Sequence, residues 1–190
     1  MTQTLLNFLY RYFLFMKNDN IILKGKLKVK NKPMVNILDG SSLIIGDNVT
    51  LNSKNSNYHV NMFASVKIYT DKIGAKISIG NNTRIHGSCL HAYESIEIGE
   101  NCLIAANCQI FDGSGHDTLL DDPSKRIDSN GLIKPIIIGN DCWIGTSAII
   151  LPGTKLGNNC IVAAGSVVNG NFEDNSLVGG NPAKFIKSIK

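Results

Sequence analysis

Residues Ile138 to Val168 read IGNDCW IGTSAI ILPGTK LGNNCI VAAGSV V, and cut in sixes every block opens on an aliphatic residue: Ile138, Ile144, Ile150, Leu156, Val162 and Val168. The second place is small in most blocks (Gly139, Gly145, Gly157, Ala163), and the fifth is compact throughout (Cys142, Ala148, Thr154, Cys160, Ser166). A period of six fits neither the 3.6 of a helix nor the alternation of a two-faced sheet. It is the period of a parallel β-helix, in which each hexad is one wall of a triangular coil and roughly 18 residues complete a turn. The aliphatic residue fills the prism, the compact one turns inward near the corner, and Gly or Asn there accommodates positive φ.

Working outward, the same phase appears at Ile79 with Thr83, Ile85 with Cys89, Ile98 with Cys102, Ile104 with Cys108, and Ile110. From Ile85 to Ile98 is 13 residues rather than 12, which predicts one extra residue around His91–Ser95. Coils between 21 and 52 are looser, and 52–62 (NSKNSNYHVNM) reads as a loop. The largest break lies at 112–135: Ile110 to Ile138 is 28 residues, about ten more than one coil requires.

The whole chain is then an all-β parallel β-helix over 21–180, with a short N-terminal helix within 1–20, loop 112–135 inserted, and a short C-terminal helix in 181–190 begun by Pro182. At 190 residues it suits one domain with appendages; a net charge of +4 with no Lys/Arg run argues against a nucleic-acid partner. Five cysteines, all read at the fifth place, form no CxxC pair and follow no secretory signal. They are compact core residues in a reducing, cytoplasmic protein, with no metal site. Residues 4–17 (TLLNFLYRYFLFMK) are too short an apolar run to span a bilayer. They either cap the open end of the coil or lie at a membrane surface, such as the inner face, with Arg11, Lys17, Lys24, Lys26 and Lys28 nearby.

Function in a solenoid concentrates where a polar insertion interrupts regular walls. His116 stands out there, since a neutral imidazole is suited to general-base work, with Asp112 and Asp117 both candidates to orient it through its other nitrogen.

The run WIG…AAGSVV followed by GGNPAKFIK resembles the left-handed β-helix acyltransferases, in particular the sugar and polysaccharide O-acetyltransferases related to galactoside and maltose acetyltransferases. The likeness is strong over 75–190 and weak before that; the Asp-x-x-x-His of Asp112 to His116 resembles the family's catalytic loop. It implies acetyl-coenzyme A as donor, a homotrimer with sites between neighbouring prisms, His116 as base and Trp143 beside it. It further implies a coenzyme contact set of Gly145, Thr146, Ala164, Asn169 and Lys184. Asn169-Gly170-Asn171 departs from the family's Thr-Lys-Asp, so one lysine contact is missing. His86, His91, Tyr93 and Glu94 stand where the family recognises sugar, but with different residues, so the expected acceptor is a hydroxyl on a glycan other than a simple galactoside. Glu94 also suits an amino-sugar acceptor and hence N-acetylation. His86 and His91 further resemble a pair of zinc ligands in γ-class carbonic anhydrases, although His59 is wrongly offset to be the third.

Overall fold

The computed structural model describes residues 2–117, 121–129 and 131–189. Its strands stack into three parallel walls, the prism that the hexads predict. The first wall runs Ile21–Leu23, Ser42–Ile45, Lys76–Ile79, Ser95–Ile98, Ile136–Ile138, Lys155–Leu156, Asn171–Phe172. The second runs Leu27–Lys30, Val49–Asn52, Arg84–His86, Leu103–Ile104, Trp143–Ile144, Ile161–Val162, Ser176–Gly180 and finally Ala183–Ser188. The third runs Met34–Asn36, Lys67–Thr70, Cys89–Ala92, Gln109–Phe111, Ile149–Ile150, Val167–Val168. Residue pairs 18 apart stack directly, as Ile138 on Leu156 and Ile144 on Val162. The inward column of Ile77, Ile96 and Ile136 is fully buried, as is that of Ile85, Ile104 and Ile144.

The edge between the first and second walls shows why Gly and Asn recur. Asn48, Asn82, Asn101, Asp141, Asn159 and Asn175 all hold φ between 53° and 61°. Their amides form a ladder up the edge, Asn48 to Asn82 at 2.9 Å, Asn82 to Asn101 at 3.1 Å and Asn101 to Asp141 at 3.0 Å. Asn and Asp tolerate this conformation because their short side chains bond locally. The glycines two positions earlier serve close approach instead of positive φ: a Cβ on Gly139 would sit 2.7 Å from the backbone carbon of Gly157 in the next coil.

Three sequence expectations need correction. The segment between Ile85 and Ile98 is not one extra residue: Ile85 to Leu90 is one residue shorter than Ile104 to Ile110, and Leu90 to Ile98 is two longer than Ile150 to Leu156. The shortening moves Ser88 into the inward place and turns Cys89 outward, in register with Gln109, so four of the five cysteines line the core. The insertion is also larger than expected. Ile110 to Ile138 spans the step that Ile150 to Leu156 makes in six, leaving 22 extra residues. Finally, 183–188 is a strand, pairing antiparallel with Ser176–Gly180, and not a helix. Six residues gain little as an isolated helix, whereas a strand there closes the ladder's open edge.

At the other end an α-helix, Gln3–Arg11, continues as a π-helical turn, Tyr12–Met16. Phe15 enters the core and is 1% exposed, with Tyr10 and Leu14 packed beside it. Phe15 thus anchors the segment on the first coil.

Candidate active site

The second wall carries a groove. Its outward positions Arg84, Leu103, Trp143 and Ile161 stack in register, while their neighbours Ile85, Ile104, Ile144 and Val162 point into the prism. The hexad phase thus decides which residue of each pair meets solvent. Trp143 is 52% exposed, so packing in the core does not explain it. The groove encloses ≈ 540 Å³, with Trp143, Gly145, Thr146 and Ala164 along it and Ala163 as a further small side chain. Thr146 Oγ1 donates to the Ala106 carbonyl at 2.8 Å, fixing that corner.

Towards the N-terminal coils the groove ends in Tyr58, His59, Arg84 and His86. The Tyr58 ring stacks on His86 with centroids 4.7 Å apart. His86 Nδ1 lies 3.1 Å from Asn52 Nδ2, and an amide NH₂ only donates, so Nδ1 accepts and the ring presents Nε2–H. Burial, and then the charges of Arg84 and Lys30, push its pKa down to about 4, keeping the ring neutral at pH 7. Tyr58 and Arg84 escaped the sequence reading. Arg84 was findable, because it precedes Ile85 as Trp143 precedes Ile144; Tyr58 was not, because its loop has no period.

The inserted loop leaves at a different place, the edge between the third and first walls. Gly113 bridges antiparallel to Ile133, Ser114 N–H bonds Leu132 O at 2.9 Å, and Lys134 N–H bonds Asp112 O at 2.8 Å. A 3₁₀ helix, Pro123–Asp128, is capped by the Asp122 side chain and brings the Arg126 carbonyl 2.8 Å from His116 Nδ1. A carbonyl only accepts, so Nδ1 carries the proton. In the neutral imidazole Nε2 then holds the free lone pair. His116 is exposed.

Asp112 does not touch that ring in the way the sequence suggested. It is fully buried, and its carboxylate accepts the backbone N–H groups of Tyr93 at 2.6 Å and Glu94 at 2.8 Å. It ties the long 91–95 corner to the root of the loop. Burial pushes its carboxyl up, against the pull of those N–H bonds. The ring of Tyr93 lies against Gly113, where any Cβ would collide with it.

The four expected acceptor residues divide between two regions. His86 is in the groove; His91, Tyr93 and Glu94 sit on or beside the third wall. His91 stacks on Tyr93 at 4.6 Å and meets the edge of Tyr69 at 4.7 Å. Its Nε2 is 3.5 Å from Asp71 Oδ2 and has no hydrogen bond. His86 and His91 thus face different surroundings, and no group of three His, Cys, Asp or Glu side chains among the described residues is placed to hold a metal. Lys184 lies on the second wall beyond the groove, opposite Gly179, and Asn169 lies on the same edge as the loop. One chain therefore assembles Trp143, Gly145, Thr146, Ala164 and His86. It leaves His116, Asn169, Tyr93 and Glu94 at the prism edge opposite the grooved wall.

Residues 135–170 match the family described as bacterial transferase hexapeptide (six repeats), and 76–111 that described as hexapeptide repeat of succinyl-transferase. A putative lipopolysaccharide biosynthesis O-acetyl transferase, WbbJ, of Escherichia coli K12 is 31% identical over 143 residues, 72% of this chain and 73% of that protein. The chain belongs to the hexapeptide-repeat acetyltransferases. Its fold is their left-handed parallel β-helix. A crystal structure of the hexapeptide-repeat acetyltransferase VCA0836 of Vibrio cholerae, complexed with acetyl coenzyme A, superposes with a TM-score of 0.56 at 32% identity, covering 65% of each chain. A probable acetyltransferase, Rv3034c, of Mycobacterium tuberculosis is 36% identical over 62% of this chain, which spans 37% of that relative's length.

Proposed function

We propose that this hexapeptide-repeat protein transfers acetyl from acetyl-coenzyme A to a hydroxyl of a sugar in a polysaccharide, capsule or lipid-linked glycan. The observation that carries the reading is the His116 ring: Nδ1–H is held by the Arg126 carbonyl, and Nε2 is left as a base. Bound acetyl-coenzyme A would supply the acetyl group as a thioester. His116 Nε2 takes the acceptor's hydroxyl proton as that oxygen forms its bond to the acetyl carbon, and returns the proton to the departing thiolate sulfur. The apolar floor of the groove, with only alanines and glycine at Gly145, Ala163 and Ala164, suits a slender chain such as the pantetheine arm. Lys184, farther along the same wall, suits the nucleotide phosphates as a point charge.

The site is completed by a neighbour. His116 leaves one edge while the groove lies on the opposite wall, so cyclic closure of three copies brings one copy's loop to the next copy's Trp143. At that level the acceptor would lie towards Tyr58, Arg84 and His86, whose stacked ring and polar groups suit a hydroxylated sugar. Asn169 would approach the coenzyme, and Tyr93 and Glu94 the acceptor, from the copy that supplies the loop.

The test is incubation with radiolabelled acetyl-coenzyme A and a glycan panel, followed by mild base. Label released by base, and absent with His116→Ala, supports O-transfer by this base; label retained as amide overturns the hydroxyl acceptor, and full transfer by His116→Ala overturns the base.

A further inference from the structure

Anchoring on the first coil uses only part of the N-terminal segment. The helix Gln3–Arg11 contains no buried residue, and while Tyr10 and Leu14 pack beside Phe15, four other apolar side chains are exposed: Leu5 47%, Phe8 52%, Phe13 59% and Met16 55%. Phe8 and Tyr12 stack at 6.5 Å, and Tyr12 meets Phe13 edge-on at 5.2 Å, giving one contiguous aromatic surface. Cations frame it. The Arg11 guanidinium lies 5.8 Å from the Phe8 ring centre, and Lys17 Nζ lies 5.4 Å from both Tyr12 and Phe13. Lys28 of the first coil shares a surface depression with Phe8 and Arg11. Between Gln3 and Lys32 the chain has seven cations and one acid, Asp19. Asn7 Oδ1 accepts the Asn31 N–H at 3.0 Å, so the helix is held with this face turned away from the coil.

We propose that this face docks the enzyme on an anionic phospholipid surface, the aromatic rings entering the interface and Arg11, Lys17 and Lys28 meeting the head groups. Exposed aromatics ringed by cations are the composition of an interfacial helix. No helix among the described residues is long and apolar enough to cross a membrane, and the docking proposed here needs none. Charge complementarity selects the occupant. A second copy of the chain would bring the same cations against these, whereas an anionic bilayer neutralises them.

The experiment is flotation of the full-length protein with vesicles of phosphatidylcholine plus phosphatidylglycerol, against vesicles of phosphatidylcholine alone. Co-flotation is expected with the anionic vesicles, falling as salt is raised. The variant Phe8→Ser/Phe13→Ser should lose it by about tenfold or more, since two buried rings are removed from the interface. Phe15 is untouched in that variant, so its circular dichroism, trimer mass and acetyl transfer to a soluble glycan should match the parent. Absence of the parent from the floated fraction, or equal flotation of parent and variant, overturns the proposal. So does association beyond the trimer that the variant abolishes while vesicles bind neither protein, which would make the patch a self-contact. Failure of acetyl transfer with vesicle binding intact bears on the catalytic reading alone.

Discussion

Replacing Asp112 separates its position in the structure from the ring-orienting part that its spacing to His116 suggests. The carboxylate is fully buried and accepts two backbone N–H groups, at 2.6 and 2.8 Å. Hydrogen bonds to a charged group contribute about 1.5–3 kcal/mol each, and they are coupled here, so Asp112→Ala should cost about 3–5 kcal/mol. Asp112→Asn keeps one acceptor but points an NH₂ at the other N–H, and should cost about 2 kcal/mol. Hydrogen exchange reads this locally. The Tyr93 and Glu94 amides should lose about 100-fold of protection in the alanine variant, the equivalent of roughly 3 kcal/mol at 1.4 kcal/mol per decade. Denaturant unfolding at fixed protomer concentration gives the global value. Turnover should fall less than in His116→Ala, and the acidic limb of the rate profile should stay where it is in the parent, because the carboxylate does not meet the ring. Unchanged exchange at Tyr93 and Glu94, together with a displaced acidic limb, would refute the anchoring assignment.

Other outcomes follow from single contacts. His116→Ala should lower transfer by about 10²–10⁴-fold or more while leaving coenzyme affinity close to the parent's, measured by titration calorimetry. Because the folded pKa of His86, about 4, lies below the value of about 6.5 for a free imidazole, the unfolded chain binds the proton first. Its contribution to stability is present above pH 6.5 and is lost as pH falls towards 4, and His86→Gln should flatten that slope in melts taken across this window. Phe15→Ala should cost about 3–5 kcal/mol by opening a cavity beneath the N-terminal segment, whereas Phe13→Ala, at an exposed site, should change stability by about 0.5 kcal/mol or less in the same unfolding assay. Trp143→Ala should leave folding intact and raise KM for the groove's ligand, since its ring stands outside the core.

Where the hexads repeat without interruption, as from Ile138 to Val168, the period told which wall a residue joins and which way it faces, while Trp143, Gly145, Thr146 and Ala164 were singled out by the family resemblance and not by the period. A period carries no information through an insertion. The 22 residues after Ile110 reset the count, and only strand pairing shows that Ile110 to Ile138 is one step. The same limit misplaced Cys89, since a deletion before it and an extension after it nearly cancel in the total. Asp112 shows a second limit. Its partners are backbone N–H groups 18 and 19 residues earlier, which no side-chain motif records. The C-terminal strand is a third, for it answers an open sheet edge that exists only in three dimensions.

The central claim is that His116 of one copy serves the groove of the next, and mixed trimers test it most directly. Chains carrying His116→Ala, with an intact groove, are co-expressed with chains carrying Ala164→Trp, whose side chain fills the groove but whose loop is intact. Each is expected to be inactive alone. In randomly mixed trimers about one site in four combines an intact loop with an intact groove from different chains, so transfer should recover to roughly a quarter of the parent's. Mixed trimers with no activity above either variant would contradict the shared site and place loop and groove in the same chain.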